Sequence, residues 1–144
     1  MNVSKILAGT LACSHAAFGL NYLVRPQEAR TSWIGRAAKR PGTQVMVRAQ
    51  GARDVALGSG TLRALARSDE RELRAWIAAL TFADVADLSA TYGARDALPK
   101  RRARMVLALA GASALIGGAA AAGLTARAAS AATAERGSGP GMAT

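Results

Sequence analysis

Apolar and small residues run almost unbroken from Val3 to Val24, with no charge after Lys5. About 20 such residues, rising about 1.5 Å each in a helix, cross the hydrocarbon core of a bilayer. Arg25-Pro26 ends the run, because proline disfavours helix in the residue before it, and Asn21 with Tyr22 falls at headgroup depth. Residues 27–43 are polar, carry Arg30, Arg36, Lys39 and Arg40, and close on the turn signal Pro41-Gly42. Within them Trp33-Ile34 predicts a short interfacial turn on the bilayer surface.

A second apolar stretch, 44–66, has the length of a span but holds Arg48, Arg53 and Asp54. Each charge near a helix centre costs about 2.5 to 3.5 kcal/mol on insertion, so this segment inserts poorly alone. At about 100° per residue, Val47, Gly51, Asp54 and Gly58 share one narrow face, and Val45, Ala49, Ala52 and Ala56 lie opposite. Asp54 is thereby predicted to face other helices while alanine and valine face lipid.

Residues 67–74 form a short mixed-charge connector in which Ser68 and Asp69 are candidate N-caps, predicting a tight antiparallel hairpin. The third span, 75–92, places Trp76 and Tyr92 at its two boundaries and Asp84 and Asp87 on one face with Leu80 and Thr91. In a hairpin centred between Asp69 and Glu70, residues at equal depth have numbers summing to about 139. Arg53 then stands at the height of both Asp84 and Asp87, and Arg48 lies near Thr91 and Tyr92, closer to an interface.

A second basic loop, 93–104, contains Lys100, Arg101, Arg102 and Arg104 and reads as a topological anchor attracted to anionic lipid. The fourth span, 105–126, is uncharged and sets Gly111, Ser113, Gly117, Gly118, Ala122 and Gly123 at three- and four-residue spacings, a pattern for close helix packing. The pattern as a whole predicts an all-α integral membrane four-helix bundle with spans at about 3–24, 44–66, 75–92 and 105–126. Residues 1–127 make one transmembrane domain, and 128–144, rich in Ala, Ser, Thr and Gly, a flexible tail.

Composition sharpens this picture in two respects. With 51% apolar and only 4% aromatic residues, the hydrophobicity comes from Ala, Leu, Val and Gly, which suit helices in close contact. The net charge of +10 falls in loops between apolar segments rather than on one face, which argues against nucleic acid as a partner. Ten basic residues lie in the first and third loops against seven at the termini and around the middle connector, Arg63 at the end of the second span included, so the positive-inside rule places both termini outside. The predicted location is a bacterial inner membrane, with several passes, lipid as partner, and a second copy or another membrane protein as further partners.

One constellation carries chemical content: Arg48, Arg53, Asp54, Asp84 and Asp87, a predicted buried ionic cluster between the second and third spans. Intramembrane charges serve transport paths or proton relays, or neutralise one another and fix helix register. Arg53 with Asp84 or Asp87 is the expected pair. His15 is a secondary candidate, read as a packed, hydrogen-bonded side chain because the chain has no second histidine. Cys13, the only cysteine, excludes an intrachain disulfide and a cysteine metal cluster, and the short apolar run before it is a poor lipoprotein signal. No phosphate loop, metal-ligand spacing, dinucleotide fingerprint or nucleophile with its base is present, so neither an enzyme nor a cofactor is indicated.

The element Leu23-Val24-Arg25-Pro26, the pattern Arg48-x-x-Gly51-x-Arg53-Asp54-x-x-x-Gly58 and the spaced aspartates of the third span resemble the uncharacterised small four-span bacterial membrane proteins near the DoxX-like group. The resemblance covers the first three spans. It implies four helices and no defined activity; DoxX-like proteins are associated with respiratory or redox membrane systems, yet a lone Cys13 cannot run a dithiol cycle. Two functions remain: a non-enzymatic binding or interaction module, or a small transporter or proton-coupled permeation unit using Arg53, Asp84 and Asp87.

Overall fold

The computed structural model describes residues 2–137, which are almost entirely helical, with no strand among them. Four long helices, α1 (Val3–Val24), α3 (Pro41–Ala66), α4 (Glu70–Gly93) and α5 (Lys100–Gly137), are joined by a short helix α2 (Pro26–Ile34) and 3₁₀ turns at Gly35–Lys39 and Arg95–Ala97. Contacts run in a cycle, α1 to α3, α3 to α4, α4 to α5 and α5 back to α1. Among the described residues two helices are long and apolar enough to cross a membrane: Val3–Val24 and the stretch Ala103–Ser130 of α5. In the other two long helices charges fall inside the apolar stretch, Arg48, Arg53 and Asp54 in α3 and Asp84 and Asp87 in α4.

Local chemistry sets the ends. Asn2 caps α1, its side chain accepting from the Ser4 amide at 3.2 Å. Pro26 and Pro41 each occupy the first turn of a helix, where a missing amide proton costs nothing. Residues 26–39, expected as polar loop, are therefore helical, and α3 starts at Pro41 rather than 44. Between α3 and α4 the chain reverses through Ser68 in the left-handed region (φ 55°). Asp69 then caps α4, accepting from the Glu72 amide at 2.9 Å, so that helix begins at Glu70 rather than 75. At the far end α5 runs from Lys100 to Gly137, beyond the expected 105–126; residues 128–137 of the anticipated tail are helix, and 138–144 lie outside the described residues.

Ala8, Ala64, Leu73, Ile77, Ala120 and Leu124 form the buried apolar core, at the end where α3 turns into α4. Lys5 pairs with Glu70 at 2.9 Å across this end and holds the Glu70 carboxyl below its ordinary range. Glu72 is likewise lowered, first by the indole of Trp76, which donates to it at 3.2 Å, and then by Arg63.

The α1–α3 contact is a backbone-to-backbone crossing. A Cβ on Gly19 would stand 2.6 Å from the Gly51 carbonyl oxygen, one on Gly51 2.7 Å from that of Gly19, and one on Gly58 2.6 Å from that of Ala12. Small residues at these points allow the close approach. In α5 the expected small-residue packing is only partly realised: Cβ atoms on Gly117 and Gly123 would strike Thr81 and Ser4, but those on Gly111 and Gly118 would meet nothing within 4 Å.

Candidate functional site

Beyond the apolar core, the four long helices surround a polar cluster. The face of α3 predicted to turn inward does so: Val47, Gly51, Asp54 and Gly58 are buried, while Val45, Ala49, Ala52 and Ala56 are exposed. On α4, Leu80, Asp84 and Thr91 are buried and Asp87 is half-buried on the same side. Arg53 donates through Nη2 to Asp54 Oδ1 at 2.8 Å and to Asp87 Oδ2 at 2.7 Å, and a second bond from Nη1 reaches Asp87 Oδ1 at 3.2 Å. This two-pronged clamp on Asp87 is strong and geometrically specific. Gln50 adds a further donor to Asp87 Oδ2 at 2.8 Å.

The partner of Arg53 on α4 is thus Asp87 and not Asp84. Asp84 turns instead toward α1 and α5, accepting from Ser113 Oγ at 2.6 Å and approaching His15 Nε2 at 3.3 Å. His15 reaches the other way as well, with Nδ1 3.8 Å from Asp54 Oδ1. That nitrogen is buried and makes no hydrogen bond. His15 therefore bridges the acids of α3 and α4 from α1, a more central place than that of a packed core histidine. Arg48, by contrast, is exposed and pairs with no acid among the described residues. It follows Val47 by one position, which swings it about 100° off the buried face. It does not belong to the cluster.

Gln50 and Ser113 were not singled out from sequence. Ser113 was legible only as one small residue in a series of them, and Gln50 only by its height, since its position and that of Asp87 satisfy the hairpin depth relation.

The cluster lies along a cavity of about 760 Å³ between α1 and α5, with α2, α3 and α4 also contributing to its wall. His15, Asp54, Asp84, Asp87, Gln50 and Ser113 supply part of its polar lining, with Thr10, Ser14, Asn21 and Tyr22 further along α1, and Leu7, Leu11, Phe18, Leu109 and Ile116 supply much of its apolar part. Arg25 and Glu28 line it near α2. A second, more open hollow of about 470 Å³ lies by Ile34, Thr43, Met46 and Arg53, and Gln50 and Asp87 belong to the walls of both. The Arg53–Asp87–Gln50 linkage thus touches both recesses, through Gln50 and Asp87.

This arrangement can hold a polar or charged group against an apolar body, the usual design of a small-molecule site. No curated protein and no solved structure matches the chain. A family match does exist, over residues 12–124, and it takes in every side chain of the cluster from His15 to Ser113. The chain belongs to the family described as Domain of unknown function (DUF4267).

Proposed function

We propose that the chain is a small integral membrane protein that crosses the bacterial inner membrane four times as a helical bundle, in the manner of DoxX-like proteins, and serves as a non-enzymatic binding module. The observation that carries the binding role is the cavity of about 760 Å³ whose wall combines His15, Asp54 and Asp84 with aliphatic and aromatic side chains. The four-span reading draws on the direction in which side chains point. On α3, Val45 and Met46 are 64% and 68% exposed, and on α4 Phe82 is 75% exposed, whereas Asp54 and Asp84 are buried. A helix that turns its acids toward its neighbours and its apolar side chains outward suits lipid better than its mean hydropathy implies.

Lipid is the surrounding partner in this reading, with a second copy or another membrane protein on the outward faces, and both termini lie outside. Extraction of membranes with alkaline carbonate tests the class: the protein is expected in the pellet, and its release into the supernatant would end the membrane reading. A second function is favoured by one feature, the Arg53–Asp87–Gln50 linkage that touches two recesses, which suits a small transporter or proton-coupled permeation unit. Proton flux in proteoliposomes that falls on Asp84→Asn would support it, and equal flux in both proteins would count against it.

A further inference from the structure

The charges along the cavity decide which kind of ligand it suits. From α1 comes His15; from α2 and the residue before it, Glu28 and Arg25; from α3, Asp54 with Arg53 behind it; from α4, Asp84 and Asp87; from α5, the neutral hydroxyl of Ser113. Arg25 and Glu28 offset each other. Arg53 offsets one of the three aspartates, and a charged His15 would offset a second. The third remains in either state of the imidazole, and buried charge left uncompensated is costly.

Asp84 is the acid of the three that Arg53 does not reach. Asp54 and Asp87 share Arg53, whereas buried Asp84 has, among the described residues, the Ser113 hydroxyl and the His15 imidazole against it. Among the described residues no group of three or more His, Cys, Asp or Glu is arranged to hold a metal ion. Beside the polar groups of Thr10, Ser14 and Asn21 the wall carries Leu7, Leu11 and Ile116, and at its rim Phe18, Met105 and Leu109 are half or more exposed. A ligand could pass over that rim from the lipid phase.

We infer that the cavity binds an amphipathic organic cation, an ammonium group with an alkyl or aryl body, its charge paired with Asp84 and its body between α1 and α5. This names the ligand class of the binding module proposed above and rests on that reading. A primary ammonium group can donate to the Asp84 carboxylate while its body covers Leu11, Phe18 and Ile116, which a neutral alcohol of the same shape does only in part.

Equilibrium dialysis of the protein in lipid nanodiscs against radiolabelled 4-phenylbutylammonium tests it, with 4-phenylbutanol and 4-phenylbutanoate as neutral and anionic counterparts. Saturable binding of the ammonium is expected, at least about ten-fold tighter than the alcohol, with no saturable binding of the carboxylate. Asp84→Asn is expected to remove that preference. If the variant does not fold, the comparison of the three probes on the unaltered protein still decides. Equal saturable binding of alcohol and ammonium would overturn the cation assignment and leave the binding module standing. No saturable binding of any probe to folded protein would overturn both.

Discussion

Arg53→Ala is expected to lower the stability of the folded protein in detergent by about 2 to 3 kcal/mol. Removing the guanidinium takes the cation from two carboxylates at once, Asp54 at 2.8 Å and Asp87 at 2.7 Å. Breaking a fully buried pair costs about 3 to 5 kcal/mol, and the smaller figure applies because Arg53 is itself 35% exposed and water can partly replace it. Exchanging the charges, Arg53→Asp with Asp87→Arg, should restore part of the loss. The same exchange with Asp84 should not, since Asp84 faces His15 and Ser113. Chemical denaturation followed by circular dichroism measures each variant; full stability of Arg53→Ala would show that the pairing does not hold α3 and α4 together.

Gly58→Ala should cost about 1 to 3 kcal/mol, a large effect for one added methyl group. The new Cβ would stand 2.6 Å from the Ala12 carbonyl oxygen and 2.9 Å from the Ala16 nitrogen, both backbone atoms of α1 that cannot rotate away. The crossing would have to open, and with it the placement of His15 between the two acids. Gly118→Ala in α5 is the matched comparison. Nothing lies within 4 Å of its added Cβ, and a glycine removed from a helix interior gains up to about 1 kcal/mol. Equal stability of the two variants by thermal unfolding would mean that α1 and α3 do not meet as closely as described.

Much of this was legible in the chain. An uninterrupted apolar run and Pro26 gave α1 its limits, and the helical wheel of the second stretch separated buried Asp54 from exposed Ala52. Depth along the hairpin brought Arg53 to the level of Asp87. That relation fixes height and not direction around the helix, which is why it could not choose between Asp84 and Asp87. His15 was harder, because residues 25–40 separate α1 from α3 and no tight turn sets their relative depth. The signal lay in small residues: the positions of Gly19 with Gly51, and of Ala12 with Gly58, each add to 70, which puts His15 level with Val55, next to Asp54. The helical course of 26–39 is hidden in the sequence because Pro26 and Pro41 read equally as stops and as first-turn residues of a helix. In the last turns of α5 few bulky side chains are present to pack, and the strong helix preference of alanine carries the helix on to Gly137.

The central claim is that α3 and α4 lie in lipid with their acids turned inward. Spin labels placed at Ala52 and Phe82, with Cys13 replaced by alanine, report this directly in liposomes through collisions with oxygen or with a water-soluble nickel chelate. Both positions are exposed on the outward faces of their helices. High oxygen and low nickel accessibility are expected at both, matching a label at Leu115 on α5, which is 77% exposed and outside the cavity wall. Strong nickel accessibility at 52 and 82 in the folded protein would contradict the claim.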